Sequence, residues 1–177
     1  LCLSNKIIFH NRYMDLTPDN IESVKSSWNL VISHHLEEQF MSNFYGHLFS
    51  TYPEVKSYFP DNKISLNSKL LETLNLAING LDYIDALEND LKELGKFHEN
   101  MNITADQYFP VIESSLHALN EVINKELTQF DKQSWINAFQ LISNIMISGY
   151  TGALPENSLS FDEPSLANTE TGKNPAQ

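Results

Sequence analysis

Residues Ile84 to Tyr108 read I-D-A-L-E-N-D-L-K-E-L-G-K-F-H-E-N-M-N-I-T-A-D-Q-Y, and the residue that carries most information among them is His98. Apolar residues recur there at steps of three and four, at Ile84, Leu87, Leu91 and Leu94. This spacing places them on one face of an α-helix, and the next position on that face is His98. The stretch therefore predicts an amphipathic helix whose apolar face ends in a histidine.

Two roles are open to His98. A histidine at the end of an apolar face is commonly a half-buried side chain with a satisfied hydrogen bond. It can instead be a metal ligand, because a neutral imidazole offers one nitrogen to a metal while the other nitrogen bonds a backbone carbonyl. One histidine cannot hold a bare ion, but it can hold a haem iron, since the porphyrin supplies four further nitrogens.

Length and composition point to one folded domain of ordinary size. The chain has 177 residues, of which 41% are hydrophobic and 11% aromatic. That is enough to form a hydrophobic core, and it is unlike an intrinsically disordered chain. No apolar run approaches the roughly 20 residues that a membrane helix needs.

The charge and the cysteine content narrow the function classes. A formal net charge of -12 disfavours binding to nucleic acid and to anionic lipid surfaces. The single cysteine, Cys2, excludes a disulfide within the chain and a thiolate zinc cluster. It also fits a reducing compartment, so we expect a cytoplasmic protein without nucleic-acid or membrane partners.

Helical periodicity recurs along the whole chain, and no strand pattern appears, so we expect an all-α fold. Helices are predicted after Thr17-Pro18, from about Leu36 to Phe49, from Ile64 to Leu81, up to His98, from Tyr108 to Ile123, and after Asp131 as a cap. Loops of different length favour steep helix crossings over a regular four-helix bundle. Residues 1–14 are expected to be a leader or extension, residues 15–152 one domain, and residues 153–177 a disordered polar tail.

Several motifs share an order and spacing that resemble those of the globin family, over about residues 15–151. They are V-K-S-S-W at 24–28, F-Y-G-H-L-F at 44–49, Y-P-E-V-K-S-Y-F at 52–59, and L-G-K-F-H at 94–98 with a tyrosine ten residues later. The resemblance is to bacterial single-domain globins, flavohaemoglobins and neuroglobin-like members. It implies a single domain of about seven to eight helices around a haem b group, with reversible binding of dioxygen or other diatomic gases for transport or storage.

The resemblance also implies roles for particular residues. His98 matches the proximal histidine that ligates the iron, and Phe59 matches the phenylalanine that wedges against the porphyrin. Leu94 and Ile103 match haem contacts on the proximal side. Tyr45 matches the residue above the iron, which is a tyrosine in bacterial members and donates a hydrogen bond to dioxygen.

The distal residue of the helix before the proximal one is usually histidine or glutamine in this family. Counting back from the proximal histidine without gaps puts Leu66 there and Leu70 one turn further on. Sliding the register by one residue would select Asn67, but it would also turn Glu72 inward. We therefore prefer Leu66, which leaves Tyr45 as the sole polar group on the distal side.

Lys69 follows three residues after Leu66, where a cation can pair with a haem propionate at the mouth of the pocket. It could instead fold inward and ligate the iron when no gas is bound, because loss of solvent lowers the pKa of a lysine. We favour the propionate or solvent role. The sequence leaves open whether the resting iron has five or six ligands.

Enzyme activity is the alternative function. In flavohaemoglobins a tyrosine and a glutamate beside the proximal histidine push electron density towards the iron. Tyr108 matches that tyrosine, but Tyr150 stands where the glutamate is expected. Nitric oxide dioxygenase or nitrite reductase activity would then need an external reductase as partner, and a gas or redox sensor is a further alternative.

Overall fold

A computed structural model describes residues 16–59, 63–123 and 127–152, and gives only the backbone for residues 63–66. The expected leader and polar tail lie outside the described residues, so those two assignments stay predictions. No helix in the described part is long and apolar enough to cross a membrane.

The described residues form α-helices joined by short 3₁₀ turns, and no strand occurs among them, which confirms the all-α prediction. The α-helices are α1 (Pro18–Ser33), α2 (Glu37–Thr51), α3 (Lys63–Asn79), α4 (Ile84–Asn100), α5 (Tyr108–Val122) and α6 (Gln129–Ile147). The 3₁₀ turns are Pro53–Tyr58, Leu81–Tyr83 and Ala105–Gln107.

Side-chain caps fix where the first and last helices begin. Thr17 caps α1 as predicted, and its hydroxyl accepts from the Asn20 amide at 3.2 Å. The expectation that Asp131 caps the last helix is wrong, because the cap is Thr128. The Thr128 hydroxyl accepts from the Asp131 amide at 3.1 Å, and the Asp131 carboxylate accepts from the Thr128 amide at 3.0 Å. Asp131 is therefore the returning half of a capping box.

The helices pack in pairs around a buried aromatic core. The closest pairs are α2 with α5, α1 with α6, and α4 with α6. Trp28 of α1 and Trp135 of α6 meet edge to face, with ring centroids 6.3 Å apart. The Trp135 indole donates to the Ser27 hydroxyl at 2.8 Å, so the polar end of this buried ring is satisfied.

The backbone of α4 touches the backbone of α6 and of the turn after α6 at two glycines. A Cβ atom added to Gly95 would lie 1.9 Å from the carbonyl oxygen of Met146, and one added to Gly149 would lie 2.3 Å from the carbonyl oxygen of Lys92. Backbone atoms cannot swing aside as a flexible side chain can, so only glycine permits this approach. The contact fixes α4, the helix that carries His98, against α6.

Substituting Gly95→Ala tests this contact. We expect a loss of about 1–3 kcal/mol in the free energy of unfolding, the usual cost of forcing extra volume into a packed site. Urea unfolding followed by circular dichroism measures it.

Gly46→Ala is the matched control, since a Cβ atom at Gly46 would meet nothing within 4 Å on helix α2. There the same substitution should stabilise the chain by about 0.4–1 kcal/mol, because alanine loses less backbone entropy in a helix. Equal effects of the two substitutions would contradict the close contact of α4 and α6.

Candidate functional site

Tyr45 lies on α2 inside a group of aromatic rings. Its ring stacks on Phe49 at a centroid distance of 5.3 Å and meets Phe59 edge to face at 5.7 Å. Phe59 follows the 3₁₀ turn after α2 and also contacts Phe49, with centroids 5.4 Å apart. The chain therefore places together two residues that the sequence assigned to the same pocket.

The hydroxyl of Tyr45 is buried and has no hydrogen-bond partner within the described residues. Burial raises the pKa of Tyr45 to about 12, so the hydroxyl keeps its proton at neutral pH and can donate. A buried polar group without a partner costs about 1–3 kcal/mol. A donor left in this state indicates a place for an acceptor that the described residues do not supply.

Helix α3 borders the same region. Leu70, with Leu71 and Leu74, packs against the hydrophobic cluster that contains Tyr45 and Phe59. Lys69, by contrast, is exposed.

The two candidates for the distal position differ in what the structure describes. Leu66 lies within α3, but its side chain is outside the described residues, so its assignment stays a prediction. The amide oxygen of Asn67 is buried without a hydrogen-bond partner among the described residues. Asn67 lies one turn before Leu70, so Tyr45 is not the only buried polar side chain among the candidate distal residues. Helical periodicity alone could not show this, because adjacent positions both border the buried face.

His98 has one ring nitrogen engaged. Its Nδ1 atom lies 2.8 Å from the carbonyl oxygen of Leu94, one turn earlier on α4. A carbonyl oxygen can only accept, so Nδ1 carries a proton, and in the neutral form of the ring Nε2 would keep its lone pair. This is the tautomer that a metal-ligating histidine uses.

The residues around His98 form a second hydrophobic cluster, built on Leu91, Ala105, Tyr108, Leu141, Ile145, Met146 and Ile147. Leu94 and Ile103 pack against it, and the ring of Tyr108 lies 5.9 Å from that of His98. All the apolar residues assigned to the proximal side are thus brought together.

The described residues form two hydrophobic clusters where a domain of this size usually has one contiguous core. Tyr45, Phe59 and Leu70 belong to the first, and Leu94, Ile103 and Tyr108 to the second. Ile84 and Ile142 contact both. A buried donor in the first cluster and a histidine with Nδ1 engaged beside the second are groups that suit haem.

Tyr150, which follows α6, packs against this second hydrophobic cluster. Its hydroxyl donates to the carbonyl oxygen of Ile103 at 2.9 Å and lies 3.1 Å from the hydroxyl of Tyr108. Tyr150 has only one hydroxyl hydrogen, so Tyr108 is the donor in the second bond. Burial raises the pKa of both tyrosines, which keeps this pair neutral.

The globin family model matches residues 42–146, more than half of the chain. The chain belongs to the globin family. This globin is 25% identical over 135 residues to an uncharacterized globin-like protein of Aquifex aeolicus, a match of 75% of this chain and 93% of that protein. It is 25% identical to a flavohemoprotein of Halalkalibacterium halodurans, also over 75% of this chain. It is 26% identical over 47% of its length to a neuroglobin of Dissostichus mawsoni.

The globin spans only 32% of the flavohemoprotein and 52% of the neuroglobin. Among solved structures it resembles a bacterial globin from Campylobacter jejuni, with a TM-score of 0.64 and 20% identity over 75% of this chain and 95% of the other. It also resembles an engineered carbene transferase, a variant of a putative nitric oxide dioxygenase from Rhodothermus marinus. That TM-score is 0.65, at 22% identity over 75% and 92% of the two chains. These likenesses show the fold.

The unpaired hydroxyl of this globin gives a test on the haem-free chain. Tyr45→Phe removes a buried group that has no partner among the described residues, so we expect the free energy of unfolding to rise, by about 1 kcal/mol. Tyr150→Phe removes the same atom from a hydroxyl with two partners, so stability should fall by about 1 kcal/mol.

Chemical denaturation of both haem-free variants measures the pair of effects. A loss of stability in Tyr45→Phe as large as that in Tyr150→Phe would mean that the Tyr45 hydroxyl is satisfied within the chain.

Proposed function

We propose that this globin holds haem b between His98 and Tyr45 and binds dioxygen reversibly there. The observation that carries the proposal is the buried hydroxyl of Tyr45, a protonated donor without a partner among the described residues. The hydrogen bond of His98 Nδ1 to the Leu94 carbonyl supports it, because it leaves Nε2 as the nitrogen that could ligate an iron.

Different residues would bind different parts of the haem. His98 Nε2 would ligate the iron, while Phe59, Leu70, Leu94 and Ile103 would pack against the porphyrin. The exposed side chain of Lys69 suits an ion pair with a propionate rather than a place on the iron. When bound, haem supplies an iron with an open coordination position for a diatomic gas.

Tyr45 would decide which gas is retained. Its ring packs against the rings of Phe49 and Phe59, and its buried hydroxyl could donate a hydrogen bond to a bound gas. Dioxygen gains more from a fixed donor than carbon monoxide does, because more negative charge collects on it when it binds. Asn67 could add a second polar contact, and Leu66 remains the alternative neighbour on α3.

Nitric oxide dioxygenation is the second candidate, since the relatives include a flavohemoprotein. The proximal side argues against a dedicated enzyme. Tyr108 bonds to Tyr150, and Tyr150 bonds to a backbone carbonyl, so this chain of contacts contains no carboxylate to raise the electron density on the proximal histidine. Sustained turnover would also require electrons from an external reductase. Sustained turnover with a reductant present would support the enzyme, and slow re-reduction that limits the reaction to a single turnover would count against it.

Replacing the proposed iron ligand tests haem binding. His98→Gly leaves a space for free imidazole, so we expect the variant to lose the proximal ligand and to regain it when imidazole is added. Optical spectra of the haem-loaded ferrous protein, with and without imidazole, follow both steps. A variant with unchanged spectra and unchanged haem stoichiometry would refute His98 as ligand.

Tyr45→Phe tests the distal donor in the haem-loaded protein. We expect the dissociation rate of dioxygen to rise by about tenfold or more, the loss of one strong hydrogen bond. Stopped-flow displacement of dioxygen by carbon monoxide measures it.

Tyr52→Phe is the control, because it removes a hydroxyl that already has a partner, the carboxylate of Glu113, and leaves the Tyr45 hydroxyl in place. Its dissociation rate should stay that of the native chain. Equal rates in all three proteins would remove Tyr45 from the binding site.

A further inference from the structure

Glu99 directly follows the proposed iron ligand, His98. Its side chain accepts hydrogen bonds from the residues that follow α6. One carboxylate oxygen accepts from the backbone amide of Thr151 at 2.7 Å and from its hydroxyl at 3.0 Å. The other accepts from the backbone amide of Gly152 at 2.6 Å. We call this set of three hydrogen bonds the Glu99 clasp. Both oxygens of one side chain are thus used on one two-residue segment.

Helix stability does not explain a glutamate at this position. Glu99 lies in the last turn of α4, where a negative charge opposes the helix dipole. Earlier in the same helix, Glu88 and Glu93 pair with Lys92 and Lys96. Glu99 instead bonds backbone amides that lie more than 50 residues further along the chain. Its contacts are tertiary.

The turn that follows His98 has backbone hydrogen bonds of its own. The carbonyl of His98 accepts from the amides of Met101 and Ile103, each at 3.0 Å, and Asn102 closes the turn with a φ of 60°. Asparagine tolerates this left-handed conformation better than most residues do. Backbone hydrogen bonds thus join His98 to the turn that follows Glu99, so a shift of Glu99 would move the His98 carbonyl with it.

The clasp complements the glycine contact between the same two helices. Gly95 and Gly149 bring the backbones of α4 and α6 together before His98, and the clasp ties them again after it. Sliding of α4 along α6 would break the clasp first, because hydrogen bonds depend on direction more than apolar contacts do.

We infer that Glu99 is a positioning residue: the Glu99 clasp fixes the end of α4 and so sets the strength of the bond between His98 and the iron. The inference rests on the proposed function, because it takes His98 as the iron ligand. It adds a residue that touches neither haem nor gas and acts only through its neighbour.

The first measurement uses the haem-free chain. Hydrogen exchange at the amides of Thr151 and Gly152 should be faster in Glu99→Ala than in the native protein, because the variant removes their acceptor. Glu93→Ala is the matched control: Glu93 lies on the same helix and its carboxylate accepts from Lys96 at 2.6 Å. Exchange unchanged in Glu99→Ala would overturn the clasp itself.

The second measurement uses the full chain loaded with haem, in the ferrous state without gas. Glu99→Ala should shift the iron–histidine stretching band in resonance Raman spectra. It should also change the rate of carbon monoxide binding by about two- to thirtyfold, the range for residues that act on a site through another residue. Glu93→Ala should leave both unchanged, and Glu99→Gln, which keeps one acceptor oxygen, should fall between.

The outcomes separate the inference from the proposed function. A band and a rate unchanged in Glu99→Ala, or changed equally in Glu93→Ala, would overturn the positioning role while His98 remained the ligand. Failure of the native chain to show any iron–histidine band would overturn the proposed function instead. If Glu99→Ala does not fold, Thr151→Val removes one bond of the clasp. It should give a smaller shift in the same variables, and no shift would again overturn the inference.

Discussion

The backbone contact between α4 and α6 is the constraint on which the proposed site depends. Gly95 and Gly149 allow the two helices to approach until a Cβ atom would overlap a carbonyl group. This closeness lets Tyr150 reach Ile103 and lets Glu99 reach Thr151. A wider separation would loosen the end of α4, and with it the histidine whose orientation the proposed chemistry requires.

Tyr45, on the proposed distal side of the site, is held by different contacts. Tyr45 is held by stacked and edge-on rings, and its hydroxyl has no partner among the described residues. Aromatic packing fixes the direction of the ring but does not give the hydroxyl a hydrogen-bond partner. The proposed distal residues are thus held through apolar contacts, and the proposed proximal residues through backbone contacts and polar bonds. A buried donor without a partner is rare in folded proteins, and a binding site is one explanation for it.

The fold could be predicted from the sequence because it follows from local rules. The apolar face ending at His98, the cap at Thr17 and the lack of strand patterns each depend on residues a few positions apart. Counting along the last helix also assigns Tyr150 to the same side as Tyr108. The motifs indicated the globin family, and the family match over residues 42–146 confirms it.

Other features depend on how helices approach each other, which a single sequence does not show. The burial of the Asn67 amide oxygen depends on how α3 is rotated about its axis. A rotation smaller than the angle between two successive residues would change it. The Glu99 clasp joins residues more than 50 positions apart, and no periodic pattern marks it. Thr128 and Asp131 are both residue types that cap helices well, so the sequence could not decide between them. Only the hydrogen bonds show that Thr128 is the cap.

The most direct test of haem binding between His98 and Tyr45 is the optical absorption spectrum of the native chain after haem addition and reduction under anaerobic conditions. We predict one haem per chain and the spectrum of a five-coordinate ferrous iron with one histidine ligand, which changes reversibly when dioxygen is admitted. No haem absorption after titration, or a six-coordinate spectrum that dioxygen leaves unchanged, would contradict it.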